Sequence, residues 1–215
     1  FLRLSWPSRV LLGACLVLTT GIICGFKYPA GVDLPQHAHL FGVLANFHDP
    51  VTGAGGFFDV QPITPYLLTY VAGALLAKVM GPLAATKALL FLIALATPYT
   101  LWRWLRAIRG EQSFAFWGFV LAFGYSYVWG FTSYAAAMPV AFLCMEAWVR
   151  AAAGPARRRV LTLSAALVAL FFTHAVTFAV TATALGISTL VSFRQAFWRR
   201  AIALTVAGLV SLGWF

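Results

Sequence analysis

The sequence predicts an all-α, polytopic transmembrane protein. Of its 215 residues, 62% are hydrophobic and only 9% are charged, whereas about 25% of the residues in a soluble domain are charged. The mean hydropathy is +0.88. The charges fall in clusters that separate apolar runs of roughly 16 to 22 residues, close to the ~20 residues that a helix needs to cross a bilayer. A transmembrane β-barrel would instead need short alternating segments, and the sequence has no such pattern.

Eight apolar segments follow one another along the chain. They cover 10–26, 64–80, 83–105, 114–130, 134–149, 160–172, 176–193 and the residues from 201 onward. Because the chain begins at Phe1 rather than Met and stops inside an apolar run, we expect residues 1–215 to be one transmembrane domain within a longer protein.

The distribution of basic residues predicts which segments span the membrane. If 64–80 does not span, all twelve arginines lie on the amino-terminal side and the three lysines lie opposite. If it does span, the count becomes four against eleven. Because cytoplasmic loops are enriched in Lys and Arg, we predict seven spans, a cytoplasmic amino terminus, and a long outer-face first loop at 30–82.

This first loop is expected to carry juxtamembrane helices. A helix is predicted near 35–47, followed by a glycine-rich loop at 52–56. A second helix, lying on the surface or re-entering the membrane, is expected to open with Thr64 as its cap and Pro65 as its first residue. The net charge of +10 is then explained by topology and by contact with anionic headgroups. The expected partners are therefore membrane lipids rather than nucleic acid.

The candidate functional residues cluster in the first loop. It holds three of the five acidic residues and three of the four histidines, and ionisable groups at a membrane boundary are costly unless they are solvated or used. Asp33 could alternatively cap the helix that follows it. His37 and His39 are two residues apart and would point to different helix faces, so one metal would not readily take both.

His174 lies between two apolar runs and is predicted to emerge at the same outer face. Packing is the alternative role for a lone histidine in such a setting. The shared side and depth lead us to expect Asp33, one or both of His37 and His39, and His174 around a common cavity. At the predicted inner face, Glu146 lies one turn before Arg150, a spacing typical of an ion pair within a helix.

The order of these features resembles the amino-terminal module of the multispanning C-type (GT-C) glycosyltransferases. The shared elements are a first span, an outer loop that opens with Asp33 and then histidines, an apolar helix led by Thr64 and Pro65, and a span that ends in an arginine cluster. The chain is also similar to bacterial membrane proteins labelled as related to 6-pyruvoyl-tetrahydropterin synthase, which often show the Asp-x-x-x-His pattern of Asp33 and His37. The resemblance implies a bacterial inner-membrane protein that transfers a sugar from a polyprenyl-phosphate donor at the outer face.

Under this resemblance, Asp33 is the candidate general base or metal-linked carboxylate, and His37 is its catalytic neighbour. His39, His174 and Lys78 are the candidate substrate-binding residues. No second acidic residue stands beside Asp33, and Thr64-Pro65 replaces the Lys-Pro-Pro or His-Pro-Pro that often opens the second outer helix. These departures leave the need for a divalent metal open.

Two other classes of function remain as alternatives to an enzyme. The chain could be a non-catalytic membrane subunit that packs against other protein subunits in a larger complex. A transporter is less favoured, because the predicted spans lack ionisable residues near the membrane midplane, where substrates and coupling ions usually bind.

Overall fold

The computed structural model of the chain describes residues 6–29, 31–61, 64–153, 155–192 and 196–213. Within these ranges the protein is helical and has no strand, which confirms the all-α prediction. Short 3₁₀ turns cover Ala54–Gly56 and Gln112–Phe116. The α-helices are α1 (Trp6–Cys24), α2 (Leu34–Ala45), α3 (Leu67–Met80), α4 (Pro82–Ala107), α5 (Trp117–Ala122), α6 (Tyr125–Trp129), α7 (Thr132–Arg150), α8 (Ala156–Thr173), α9 (Ala175–Val191) and α10 (Phe197–Leu212).

Seven of the eight predicted apolar segments coincide, to within a few residues, with α1, α3, α4, α7, α8, α9 and α10. Among the described helices, α1 and α4 are long and apolar enough to cross a membrane, judged by length and composition. The helices α3 and α9 are apolar but shorter. Two of the described helices could therefore span a bilayer on these criteria.

The predicted span at 114–130 is not one continuous helix. It consists of the second 3₁₀ turn, α5 and α6, with a break before α6 where Gly124 takes an extended backbone (φ −71°, ψ −163°). The segment also packs very closely on α4, because a Cβ at Gly118 would lie 2.3 Å from the Cα of Pro98. The apolar run is thus interrupted at glycines, where the backbone is free to leave the helix.

The helices α2 and α3 lie side by side and run in the same direction. The ring of Phe41 packs on Gly73, where an added Cβ would lie 2.4 Å from the ring, and one helical turn earlier His37 pairs with Tyr70. The expected cap of α3 is wrong: α3 begins at Leu67 with Tyr66 at its N-cap. Pro65 therefore precedes the helix instead of opening it.

At one end of the helical bundle, Glu146 of α7 joins two arginines. Its carboxylate is 2.8 Å from the Nε atom of Arg103 in α4 and 2.8 Å from the Nε atom of Arg150. The predicted pair of Glu146 and Arg150 is therefore confirmed, and a second helix shares it. This contact places the last turn of α4 beside the last turn of α7.

The first turn of α10, which carries Arg199 and Arg200, lies at the same end. Arg200, near the start of α10, donates to the carbonyl oxygen of Trp148 (3.2 Å), and Trp148 Nε1 donates to Thr189 near the end of α9 (2.9 Å). We call this the basic end of the bundle: the last turns of α4, α7 and α9 and the first turn of α10. The first loop, the start of α7 and the junction of α8 and α9 form the opposite end, which we call the loop end.

Site-directed labelling tests whether these two ends face opposite sides of a membrane. In a variant without native cysteines, Val51→Cys, in the first loop and 90% exposed, should react with a membrane-impermeant maleimide from the outside. Arg106→Cys should react only after the membrane is permeabilised, because the arginine-rich ends of the helices are expected in the cytoplasm. Labelling of both positions from the same side would contradict the topology.

Candidate functional site

A cavity of about 370 Å³ at the loop end brings together three of the five candidate residues. Asp33, His37 and His174 all line it, although they come from the first loop and from the junction of α8 and α9. Tyrosines from α3 and its leading turn, and residues at the start of α7, complete the walls. We call it the loop-end cavity.

Backbone contacts with the end of α6 position Asp33. The backbone N–H of Asp33 donates to the carbonyl oxygen of Trp129 (3.0 Å), and Val32 donates to Val128 (3.1 Å). Gly130 ends α6 with a left-handed φ of +78°. A Cβ at Gly130 would lie 2.8 Å from the backbone nitrogen of Asp33, so only glycine lets the two segments approach this closely.

Asp33 occupies the N-cap position of α2, but its carboxylate makes no capping hydrogen bond. The capping role considered from the sequence is therefore wrong for the side chain, although Pro35 does lie in the first turn as expected. The carboxylate is half-buried. It remains available to whatever occupies the loop-end cavity.

His37 connects α2 to α3 inside the cavity. Its Nδ1 atom is 3.2 Å from the hydroxyl of Tyr70. Burial lowers the pKa of His37, and the opposing effects of Asp33 and the Gly130 backbone are smaller. An unperturbed histidine has a pKa of about 6.5. Because the pKa of His37 is lowered from that value, its ring is neutral at pH 7.

His174 lies between α8 and α9 and is the N-cap residue of α9. Its Nδ1 atom accepts a hydrogen bond from the backbone N–H of Thr177 (3.2 Å). A backbone amide only donates, so the proton of the neutral ring is on Nε2. The ring lies against Tyr66 and Tyr134, with centroid distances of 5.4 and 5.3 Å, and burial lowers its pKa.

Ser133 also lines the cavity, and its buried hydroxyl has no hydrogen-bond partner among the described residues. Ser133 is only 6% exposed. Buried polar side-chain atoms are nearly always paired, and an exception needs an explanation. A bound molecule with a polar group at this position would supply the missing partner.

The other two candidate residues lie elsewhere. His39 is exposed, contacts Phe58 and lines a separate cavity of about 210 Å³, which confirms that His37 and His39 point to different faces. Lys78 is exposed in the last turn of α3 and does not line the loop-end cavity. One of the two first-loop histidines, His37, therefore joins Asp33 and His174 in the cavity as expected, and His39 and Lys78 lie outside it.

Tyr70 and Ser133 are among the cavity residues that were not recognised in the sequence. Tyr70 follows Tyr66 by four residues, a spacing that places both on one face of α3, and this was the available signal. Nothing in the sequence pairs α2 with α3, so the contact between Tyr70 and His37 could not be anticipated. Ser133 carries no signal beyond its place at the start of an apolar helix.

The donor atoms of the cavity limit what it could bind. Among the described residues, no group of three or more His, Cys, Asp or Glu side chains could hold a metal ion. None of the cavity's described lining residues is Lys or Arg. The formal charge of the cavity is therefore the negative charge of Asp33. The two histidines add none, because burial lowers the pKa of each.

No protein-family model, curated protein or solved structure matches this chain. The likeness to the GT-C glycosyltransferases therefore remains a prediction from the sequence. The fold and the cavity define the class of the protein: a bundle of apolar helices with a cavity at one end that is lined by ionisable and hydroxyl-bearing side chains.

The lowered pKa values of His37 and His174 predict that acid destabilises the fold. Both histidines bind protons more readily in the unfolded chain, so stability is constant above about pH 6.5 and declines as the pH falls below it. The thermal midpoint of the detergent-solubilised protein should fall between pH 7.5 and 5.5. His37→Gln/His174→Asn should reduce that fall, since Asn still caps α9. An equal fall in both proteins would contradict this assignment.

Proposed function

We propose that the chain belongs to a membrane-embedded glycosyltransferase and that the loop-end cavity holds a hydroxyl-bearing acceptor. The observation that carries the proposal is the meeting of an uncapped carboxylate, Asp33, with the unpartnered hydroxyl of Ser133 in one cavity. The donor would be a polyprenyl-phosphate sugar, as the resemblance in sequence implies. A carboxylate in hydrogen-bond reach of an acceptor hydroxyl can act as a general base.

In the proposed reaction, Asp33 takes the proton of the acceptor hydroxyl. The acceptor oxygen forms a bond to the anomeric carbon of the donor sugar as the bond from that carbon to the phosphate oxygen breaks. The polyprenyl phosphate leaves with the electron pair. Ser133 and the Nε2–H of His174 are suited to orient the acceptor, since each offers a hydrogen-bond donor.

Electrostatics favour the acceptor, not the donor phosphate, as the occupant of the cavity. Asp33 is an anion, and no Lys or Arg is among the cavity's described lining residues. Two like charges 4 Å apart repel by about 4 kcal/mol at an effective dielectric constant of 20. The phosphate would therefore lie outside the cavity, with only the anomeric carbon reaching its mouth.

His37 would act through Asp33 and Tyr70 as a positioning residue. Its hydrogen bond to Tyr70 joins α2 to α3, and α2 begins directly after Asp33. Holding α2 and α3 together fixes the carboxylate of Asp33 relative to Ser133, which lies in the first turn of α7 in the opposite wall of the cavity. Small displacements of a catalytic group are costly because the reaction depends on alignment.

The proposal includes seven spans, with the loop end outside a bacterial inner membrane and the amino terminus in the cytoplasm. The gathering of the arginines of α4, α7 and α10 at one end of the bundle supports this orientation. In this proposed orientation Asp33 would lie at the face where a lipid-linked donor presents its sugar. A non-catalytic subunit would not require the uncapped carboxylate, and it is the alternative that the following experiment separates.

The test compares two aspartates of the first loop. Asp33→Asn should lower sugar transfer by about 10²-fold or more, because general-base catalysis commonly contributes 10²- to 10⁴-fold. Asp59→Asn is the matched control, since Asp59 is exposed and does not line the cavity. Its activity should be unchanged. The assay follows labelled sugar from a panel of polyprenyl-phosphate monosaccharides into membranes that contain the full chain.

Transfer at the wild-type rate by Asp33→Asn would remove Asp33 from the mechanism. Absence of transfer by the wild-type protein across the whole panel would favour the non-catalytic subunit. Insertion of both variants at wild-type levels shows that a lost activity reflects chemistry and not folding.

A further inference from the structure

An apolar groove of about 440 Å³ lies between α1, α4 and the segment 112–119, far along α4 from the loop-end cavity. The residues that form its apolar wall are Leu12, Leu16, Leu95, Trp102, Phe116 and Phe119. The buried residues of α1 are Thr19 and Ile23, both in its second half. The first half of α1 therefore borders the groove without being packed into protein.

Arg106 lies beside the end of this groove that is nearest the basic end of the bundle. The guanidinium of Arg106 lies 5.5 Å from the ring centre of Trp102, and Trp102 Nε1 donates to Gln112 (2.8 Å). Arg103, one turn earlier, is paired with Glu146, which it shares with Arg150. Arg106 is exposed and has no carboxylate within ion-pair distance in the part of the chain that the structure describes.

We propose that the groove is a binding site for one anionic phospholipid, with an acyl chain along the apolar wall and the phosphate at Arg106. Hydrocarbon fills such a groove without leaving apolar surface exposed to water. The charge of Arg106 selects an anionic headgroup over a zwitterionic one, and a basic residue near a membrane surface contributes about 1 kcal/mol to this preference, or roughly fivefold. This site is independent of the proposed sugar transfer.

Two features favour a lipid over a protein segment as the occupant. The polar groups of the groove are the hydroxyl of Tyr99, the indole N–H of Trp102 and the side-chain amide of Gln112. They are gathered on its side nearest Arg106, and the rest of the wall is apolar. This is the distribution of a phospholipid, with one charged end and a long apolar chain. The groove also opens beside α1, a helix apolar enough to lie in a bilayer, so lipid is the neighbour at hand.

Native mass spectrometry of the purified full chain tests the site directly. After incubation with equal amounts of palmitoyl-oleoyl phosphatidylglycerol and phosphatidylcholine, the wild-type protein should retain one phosphatidylglycerol, preferred about fivefold. Arg106→Gln should abolish the preference and Arg106→Lys should keep it. Ala115→Trp, which fills the groove, should abolish retention of either lipid.

The matched control is Val180→Trp, which adds the same side chain on an exposed face of α9 and should leave retention unchanged. If Ala115→Trp loses its helical circular dichroism signal, Leu16→Trp fills the groove from the α1 side instead. Wild-type retention in a folded groove-filled variant would overturn the proposal. So would equal retention of the two lipids by the wild-type protein, or a co-purifying protein that Ala115→Trp displaces in place of lipid.

Discussion

The carboxylate of Glu146 is the contact on which the arrangement of the bundle depends. It is 2% exposed and is paired with Arg103 and Arg150, both partly exposed. A buried carboxylate that lost both partners would be strongly destabilising, by about 3–5 kcal/mol. The pairing therefore fixes how the last turns of α4 and α7 lie against each other. Because α1, α2 and α3 pack on α4, and α8 and α9 pack on α7, this contact also joins the two halves of the described fold.

The loop-end cavity follows from this arrangement together with a few backbone constraints. Gly130 allows the first loop to pair with the end of α6, which places Asp33. The capping contact of His174 with Thr177 fixes the imidazole while leaving Nε2–H as its donor. The side chains that face the cavity are thus held by interactions outside it. Their remaining polar atoms are left for a ligand, which is the condition for a preorganised site.

The cavity and the apolar groove divide the chemistry of the chain between two regions. The cavity has one anion, two histidines and no described cationic lining residue, and we propose that it holds a hydroxyl-bearing molecule. The groove is apolar with Arg106 at its end, and suits a phospholipid. The few ionisable groups of this apolar chain therefore fall into a small number of defined environments.

The helices and the two ends of the bundle could be predicted from the sequence, because apolar length and charge distribution act over whole segments. The exceptions depend on individual tertiary contacts. Gly118 looks like a small residue of an apolar run until α4 is placed beside it, and so does Gly124 until its extended backbone interrupts the run before α6. Likewise, the uncapped state of Asp33 and the pairing of Tyr70 with His37 depend on how α2 meets α3 and α6. The scarcity of ionisable residues was sufficient to select Asp33, His37 and His174, but it also selected His39 and Lys78.

The central claim is that the turn before α3 and the junction of α8 and α9 close on one cavity. Cross-linking of Tyr66→Cys/His174→Cys with a short thiol-specific reagent tests it most directly, since the native rings are 5.4 Å apart. The reference pair is Gly42→Cys/Pro82→Cys, because a Cβ at Gly42 would lie 3.4 Å from that of Pro82. Both cysteine pairs should cross-link efficiently in membranes. Cross-linking of the reference pair without that of Tyr66→Cys/His174→Cys would contradict this claim.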